Sequence, residues 1–218
     1  MKTELVDVIL PCLDEAEALP WVLGRMPEWA RVIVADNGST DGSPDIARSL
    51  GALVLDVAPR GYGSACHAGL EAASAEVVAF MDADASLDPR QLGRLRTALV
   101  DEVDLVVGCR RPVDAAAWSW HLRLANRVVC RRIGGRTGLH LADLGPMRIA
   151  RRVPLLALQI QDRRSGYPLE TVVRAAESGW QVASVDVDYL ARAGRSKVTG
   201  TPLGALRAVS DMTRILSS

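Results

Sequence analysis

Apolar residues recur along the first half of the chain in short, near-continuous runs separated by polar stretches with helical spacing. The runs LVDVIL (5–10), RVIVAD (31–36), ALVLDV (52–57), EVVAFMD (76–82) and VDLVVG (103–108) are rich in β-branched residues and read as buried strands. Between them, Glu15–Arg25, Pro44–Leu50, Ser64–Ala73 and Pro89–Val100 read as helices. Two helix starts are marked: STDGSP puts Pro44 in a first turn, and SLDP precedes the fourth helix. Strand–helix alternation at this spacing predicts one α/β domain with a mostly parallel sheet and helices on both faces. In such a sheet, ligands bind beyond the carboxyl ends of the strands.

The second half is less regular. Residues 116–133 form an amphipathic helix candidate in which Trp118, Trp120, Leu122, Leu124, Val128, Val129 and Ile133 alternate with arginines, and the glycine-rich GGRTG (134–138) is expected to break it. A short strand candidate (PMRIAR, 146–151), a helix over Leu169–Ser178 and a strand over 181–190 follow. Next come a basic, glycine-punctuated loop (191–201) and a helix over 202–216.

Composition narrows the class. The 218 residues suit one domain, with 26 basic residues balanced by 26 acidic ones, so nothing points to nucleic acid as a partner. The charge is uneven locally: Arg110 to Arg136 holds seven arginines opposed only by Asp114, which suits an anionic ligand or a solvated helix face. Four scattered cysteines without a Cys-x-x-Cys pair read as thiols of a reducing compartment. No leader and no apolar span of about 20 residues is visible, so a cytoplasmic protein is expected. Tryptophans beside arginines at 116–133 suit either a core-facing helix or peripheral contact with the cytoplasmic membrane face.

Candidate chemistry gathers at three strand ends. PCLDEAE follows the first strand, DNGSTDGS ends and follows the second, and DADAS ends the fourth. A single Asp after a strand is ordinarily a helix cap; three acid-rich loops on one sheet edge point further. Asp82 and Asp84 lie one residue apart, and like charges that close oppose each other unless a cation or water relieves them. The three histidines share no metal-ligand spacing. Reading GYGSAC (61–66) as a dinucleotide fingerprint fails, because Cys66 replaces the third glycine and the segment does not follow the first strand.

PCLDEAE, VIVADNGSTDGS, RGYGSACHAGLEAA, MDADASLDP, VVGCR, DLGPMR, GYPLE and GRSK occur in this order over roughly residues 5–200. In them the chain resembles the family 2 glycosyltransferases of GT-A (Rossmann-like) fold, within the dolichyl-phosphate mannose synthase-like branch. The resemblance implies an inverting transfer of a hexose from a nucleotide sugar of GDP-mannose or UDP-glucose type. The acceptor would be a polyprenyl phosphate or another phosphorylated or lipid-linked molecule, and the cofactor Mg²⁺ or Mn²⁺. Residues 1–110 would bind the donor and 111–218 the acceptor.

Carried over by position, Pro11, Asp14 and Glu15 line the nucleoside pocket, Asp36 bonds the base or ribose, and Arg60 and Gly61 lie beside it. By the same resemblance, Asp84 would be the direct metal ligand, and Asp82, with Ala83 between them, would assist through the ribose or a water. Arg110 would approach the diphosphate or the acceptor phosphate. Asp143 would be the acceptor-side carboxylate, as base or as orienting group, with Glu170 its rival. Arg192 and Lys197, with Ser196, would close over the diphosphate. The chain departs from the family pattern in Asp14 for Asn, Ser86 for Gln, Met147 for Phe, and an Arg192–Lys197 interval one residue short.

Three other readings compete: a transferase to a small soluble acceptor, a nucleotidyltransferase, and a degenerate sugar-nucleotide-binding module. The second would carry a glycine-rich loop after the first strand, where PCLDEAE has no glycine, and the third is opposed by intact Asp82, Asp84, Asp143 and Lys197. Donor base, metal and oligomeric state stay open.

Overall fold

The computed structural model describes residues 4–114 and 117–193. Lys197, Ser196 and the helix expected over 202–216 lie outside the described residues. The elements in chain order are β1 (Val6–Cys12), α1 (Leu19–Leu23), β2 (Ala30–Asp36), α2 (Ser43–Ser49), β3 (Leu53–Asp56), α3 (Tyr62–Ala72), β4 (Val77–Phe80), α4 (Leu92–Ala98), β5 (Leu105–Pro112), α5 (Trp120–Thr137), β6 (Arg148–Arg151), α6 (Arg152–Ala157), α7 (Tyr167–Glu177) and β7 (Val182–Tyr189).

The strands form one sheet in the order β3-β2-β1-β4-β6-β5-β7. All neighbours pair in parallel except β6, which is antiparallel to both β4 and β5. The residues between β5 and β6 leave and re-enter at the same sheet edge, so β6 must run against the rest. The boundary at residue 110 between the two expected halves falls inside β5.

The period-2 rule explains the core. On β1, Val8 and Leu10 point to one face, where Leu19, Val22, Ala47, Leu92 and Leu95 of α1, α2 and α4 cover them. Ile9 points to the other face, onto Cys66 and Leu70 of α3, Ile133 of α5, and Leu169 and Val172 of α7. Both faces are therefore buried, which is why β1 and β4 read as near-continuous apolar runs and not as alternating ones.

Helix ends follow local chemistry. Pro44 sits in the first turn of α2 as expected, and Asp88 caps the 3₁₀ turn before α4 by accepting the Arg90 N–H at 3.0 Å. The helix expected over Glu15–Arg25 is regular only from Leu19. Upstream, the N–H groups of Asp14, Glu15 and Ala16 donate instead to Ser39, Ser43 and Asp41 (2.8, 2.8 and 3.0 Å). The glycine break expected at 134–138 is a correction: α5 runs through Gly134 and Gly135 and stops at Gly138, whose φ of 75° caps it. Two mid-helix glycines cost about 1 kcal/mol each, and buried Ile133 with the Arg136–Glu177 ion pair to α7 hold the turn regardless.

At the opposite edge of the sheet from the candidate site, buried Asp7 accepts a fork from Arg31 (2.5 and 2.7 Å) and the N–H groups of Ser74 and Ala75 (2.7 and 2.8 Å). Burial alone would raise its pKa, but these donors outweigh it and hold the carboxyl below its ordinary value. A depressed folded-state pKa stabilises the protein above the unfolded value of about 3.9, and that stability is lost as pH falls through the folded value. Asp7→Asn is therefore expected to cost about 2 kcal/mol at neutral pH and to flatten the acid limb of denaturant-measured stability. An unchanged acid limb would remove Asp7 as its source.

Candidate active site

Six strands deliver their carboxyl ends, and β6 its start, to one edge, and most of the acids and arginines singled out in the sequence meet there. At the ends of β1 and β2, Asp36 closes β2 and is buried; its Oδ2 accepts the N–H groups of Gly38 and Ser39, both at 3.1 Å. Its Oδ1 is buried with no hydrogen-bond partner, a costly state for a carboxylate oxygen unless a ligand supplies the donor. Asp36 also lines an open groove of about 620 Å³ with Ser39, Thr40, Asp56 and Val57. Arg60 donates to Gly38 O at 2.8 Å, and the Gly61 N–H donates to Asn37 Oδ1 at 2.5 Å. Pro11 is half-buried in β1. Asp14 accepts the Thr40 N–H at 2.7 Å, so it ties the first acidic loop to the second.

The first turn of α3 is not a phosphate cradle. Its Gly63 and Ser64 N–H groups donate to the carbonyls of Arg164 and Arg163, both at 2.9 Å. A Cβ on Gly61 would stand 2.1 Å from Arg163 O, so glycine there serves this close approach.

Asp82 and Asp84 follow β4, with Ala83 buried between them. Tyr62 OH donates to Asp82 Oδ1 at 3.2 Å. Burial first, and then the charge of Asp84, push the Asp82 carboxyl up to about 6, with Arg192 and Tyr62 opposing. Asp84 is buried; its Oδ1 accepts the Ser86 N–H at 3.0 Å, and the guanidinium of Arg192 sits on its Oδ2. Ser86 Oγ is buried without a partner. The chain leaving β7 is sewn to this loop: Leu190 N–H donates to Ser86 O and Ala193 N–H to Asp84 O, both at 2.9 Å.

Opposite stands a second assembly. Arg110 Nε and Nη2 fork onto Asp143 at 2.8 and 2.7 Å, and the Arg110 backbone N–H donates to the same carboxylate at 2.8 Å. The guanidinium lies 4.0 Å from the ring centre of Trp118 and 5.3 Å from that of Tyr189. Gly145 permits the loop to sit so close: a Cβ there would be 1.7 Å from Gly108 O. Beneath lies buried Arg148, whose guanidinium donates to the carbonyls of Gly145 (2.8 Å) and Pro168 (2.6 Å). Burial lowers its pKa, and the charges of Asp143 and Asp82 help hold its proton.

Glu170 is not part of this cluster. It accepts the N–H groups of Gln161 (2.9 Å) and Asp162 (2.6 Å) and Arg174 Nε at 2.5 Å, and so fixes the loop before α7. Tyr62, Trp118, Tyr189 and Arg148 were not expected at the site from the sequence, Trp118 being read only as an apolar position of the 116–133 helix. Two of them had a signal: Tyr62 lies in RGYGSACHAGLEAA, and Arg148 is the last residue of DLGPMR.

The sequence model of "Glycosyl transferase family 2" matches residues 7–156. A relative named an uncharacterized glycosyltransferase of Mycobacterium tuberculosis is 47% identical over the whole of both chains. The undecaprenyl-phosphate mannosyltransferase of Micrococcus luteus is 31% identical, covering 94% of this chain and 91% of its own. Among solved structures, glucosyl-3-phosphoglycerate synthase from Mycobacterium tuberculosis, in complex with Mn²⁺, UDP and glucosyl-3-phosphoglycerate, superposes with a TM-score of 0.74 at 21% identity, covering 98% of this chain and 80% of that one. The same enzyme has also been solved with Mg²⁺ and UDP. Sheet and sequence together define a glycosyltransferase of GT-A fold. More particularly, the chain belongs to glycosyl transferase family 2.

Proposed function

We propose that this glycosyltransferase moves a hexose, with inversion, from a nucleotide sugar to an acceptor whose nucleophile is a phosphate oxygen, a polyprenyl phosphate being the favoured case. One observation carries the acceptor class. Both oxygens of Asp143 are committed to Arg110, so the acceptor side offers an anchored cation and not a free base. An alcohol acceptor needs a proton acceptor within hydrogen-bond reach; a phosphate is already an anion and needs orientation. Glu170, held by two amides and Arg174, is no better placed to act as base. The relative acting on undecaprenyl phosphate supports the same reading.

A divalent metal fits the donor side. Among the described residues no group of three or more His, Cys, Asp and Glu forms a closed cage, and Asp84 already holds a cationic group against a buried oxygen. Asp84, assisted by Asp82, would hold Mg²⁺ or Mn²⁺, with phosphate oxygens and water completing the shell. When bound, the metal offsets the negative charge that grows on the departing diphosphate. Asp36 would meet the nucleoside with its unpartnered Oδ1, beside Pro11, Glu15, Arg60 and Gly61. Arg192, and Lys197 beyond the described residues, would transfer to the diphosphate once it is present. Arg110 would turn the acceptor phosphate toward the anomeric carbon, opposite the leaving diphosphate.

Melting curves with UDP and GDP, each with and without Mn²⁺, test the donor side, since a ligand that binds only the folded state raises the melting temperature. One nucleotide should stabilise the wild type in a metal-dependent manner, and Asp36→Ala should reduce that shift. No shift with either would sink the donor assignment. Radiolabelled sugar transferred to an extracted lipid phosphate, and not to soluble phosphorylated acceptors, is the expected outcome of the acceptor assay.

A further inference from the structure

The outward face of α5 is unused by the fold. Its inward side is accounted for: Cys130 and Ile133 are buried, and Asn126 accepts the Leu144 N–H at 3.1 Å and donates to Ala142 O at 3.4 Å. The other side presents Trp120, Leu124 and Val128, exposed by 75%, 50% and 42%. Their four-residue spacing stacks them along about 12 Å of one face. Arg127 and Arg131 lie along that stripe, with Arg123 and Arg132 at its borders; all four are exposed, and α5 holds no acid from Trp120 to Thr137. None of the four forms an ion pair among the described residues.

We propose that this face of α5 docks in the plane of an anionic lipid surface. Trp120, Leu124 and Val128 enter the boundary between headgroups and acyl chains, and Arg123, Arg127, Arg131 and Arg132 meet lipid phosphates. An aromatic and aliphatic stripe bordered by cations of one sign is complementary to such a surface. A second copy is a poorer occupant, because pairing the face with itself would oppose its arginines. The docking also has a purpose on the acceptor reading above. The inward side of α5 bonds the loop that carries Asp143, and Trp118 just before the helix stacks on Arg110. The acceptor end of the site is thereby held next to the surface where a lipid-linked phosphate resides.

The test is co-sedimentation of the full chain with vesicles of phosphatidylglycerol and phosphatidylcholine, against phosphatidylcholine alone, without donor or acceptor. Binding should need the anionic lipid and disappear in Trp120→Ser/Leu124→Ser/Val128→Ser. With each arginine near the surface worth about fivefold, Arg123→Ser/Arg127→Ser/Arg131→Ser should weaken binding roughly 100-fold. Both variants change exposed side chains, and both should keep the wild-type melting temperature and nucleotide shift. The proposal is overturned by absent binding, equal binding to neutral vesicles, or variants that bind like wild type. A dimer that Trp120→Ser/Leu124→Ser/Val128→Ser dissociates, without vesicle binding, would overturn it in favour of self-association. Because the readout needs no turnover, its failure would leave the donor assignment standing, and the nucleotide shift reports on that assignment separately.

Discussion

Asp84→Ala is expected to abolish the metal-dependent part of nucleotide stabilisation and to slow sugar transfer by about 100- to 1000-fold. Asp84 is the better buried of the paired acids, and the Ser86 N–H fixes its orientation. Asp82 is partly open and is already engaged by Tyr62 OH, so it is no substitute at the same position. The measurement is the difference between melting curves with nucleotide alone and with nucleotide plus Mn²⁺, read beside initial transfer rates. A variant that keeps the metal-dependent difference would move the metal site away from the end of β4.

Asp143→Ala is expected to be the most destabilising single change in the site. It strands the Arg110 guanidinium, whose side chain is only 16% exposed, without the carboxylate that forks it. Breaking such a pair from one side costs about 3 kcal/mol or more, a fall of roughly 6–12 °C in melting temperature for a chain of this size. Asp143→Asn keeps the shape and one acceptor oxygen, and should cost much less stability. It also separates two roles. If Asp143 orients Arg110, the Asn variant should raise the acceptor KM while kcat falls modestly. A collapse of kcat at constant KM would instead make Asp143 the base, and the acceptor an alcohol.

Much of this was legible in the sequence because it is written in local patterns. β1 and β4 show their burial on both faces as near-continuous apolar runs, broken in β1 by Asp7, and Asp36, Asp82, Asp84 and Arg110 each lie at, near or just past the carboxyl end of a strand of the parallel set. A parallel sheet then brings them to one edge without further information. The parts that were not legible are pairings across long sequence separations. Tyr62 reaches Asp82 from 20 residues away, and Asp143 forks Arg110 from 33. Trp118 and Tyr189 both flank Arg110 from further along the chain, Tyr189 from beyond α5, β6, α6 and α7, with no periodic signal to announce it. Glu170 shows the converse limit. A glutamate at the start of a helix fits both a dipole partner and a catalytic acid, and only the two amides it accepts reveal its work in holding a loop.

The seam between the end of β7 and the acidic loop bears on the order of events. With Arg192 tethered against Asp84, the donor-free protein neutralises its own acidic tip. A lone divalent ion must compete with a guanidinium held nearby at an effective concentration on the order of millimolar. An ion that arrives already chelated by a diphosphate escapes that contest, because it offers the displaced arginine a new anion. Free Mg²⁺ or Mn²⁺ would then associate weakly, and productive loading would be a joint arrival of ion and nucleotide.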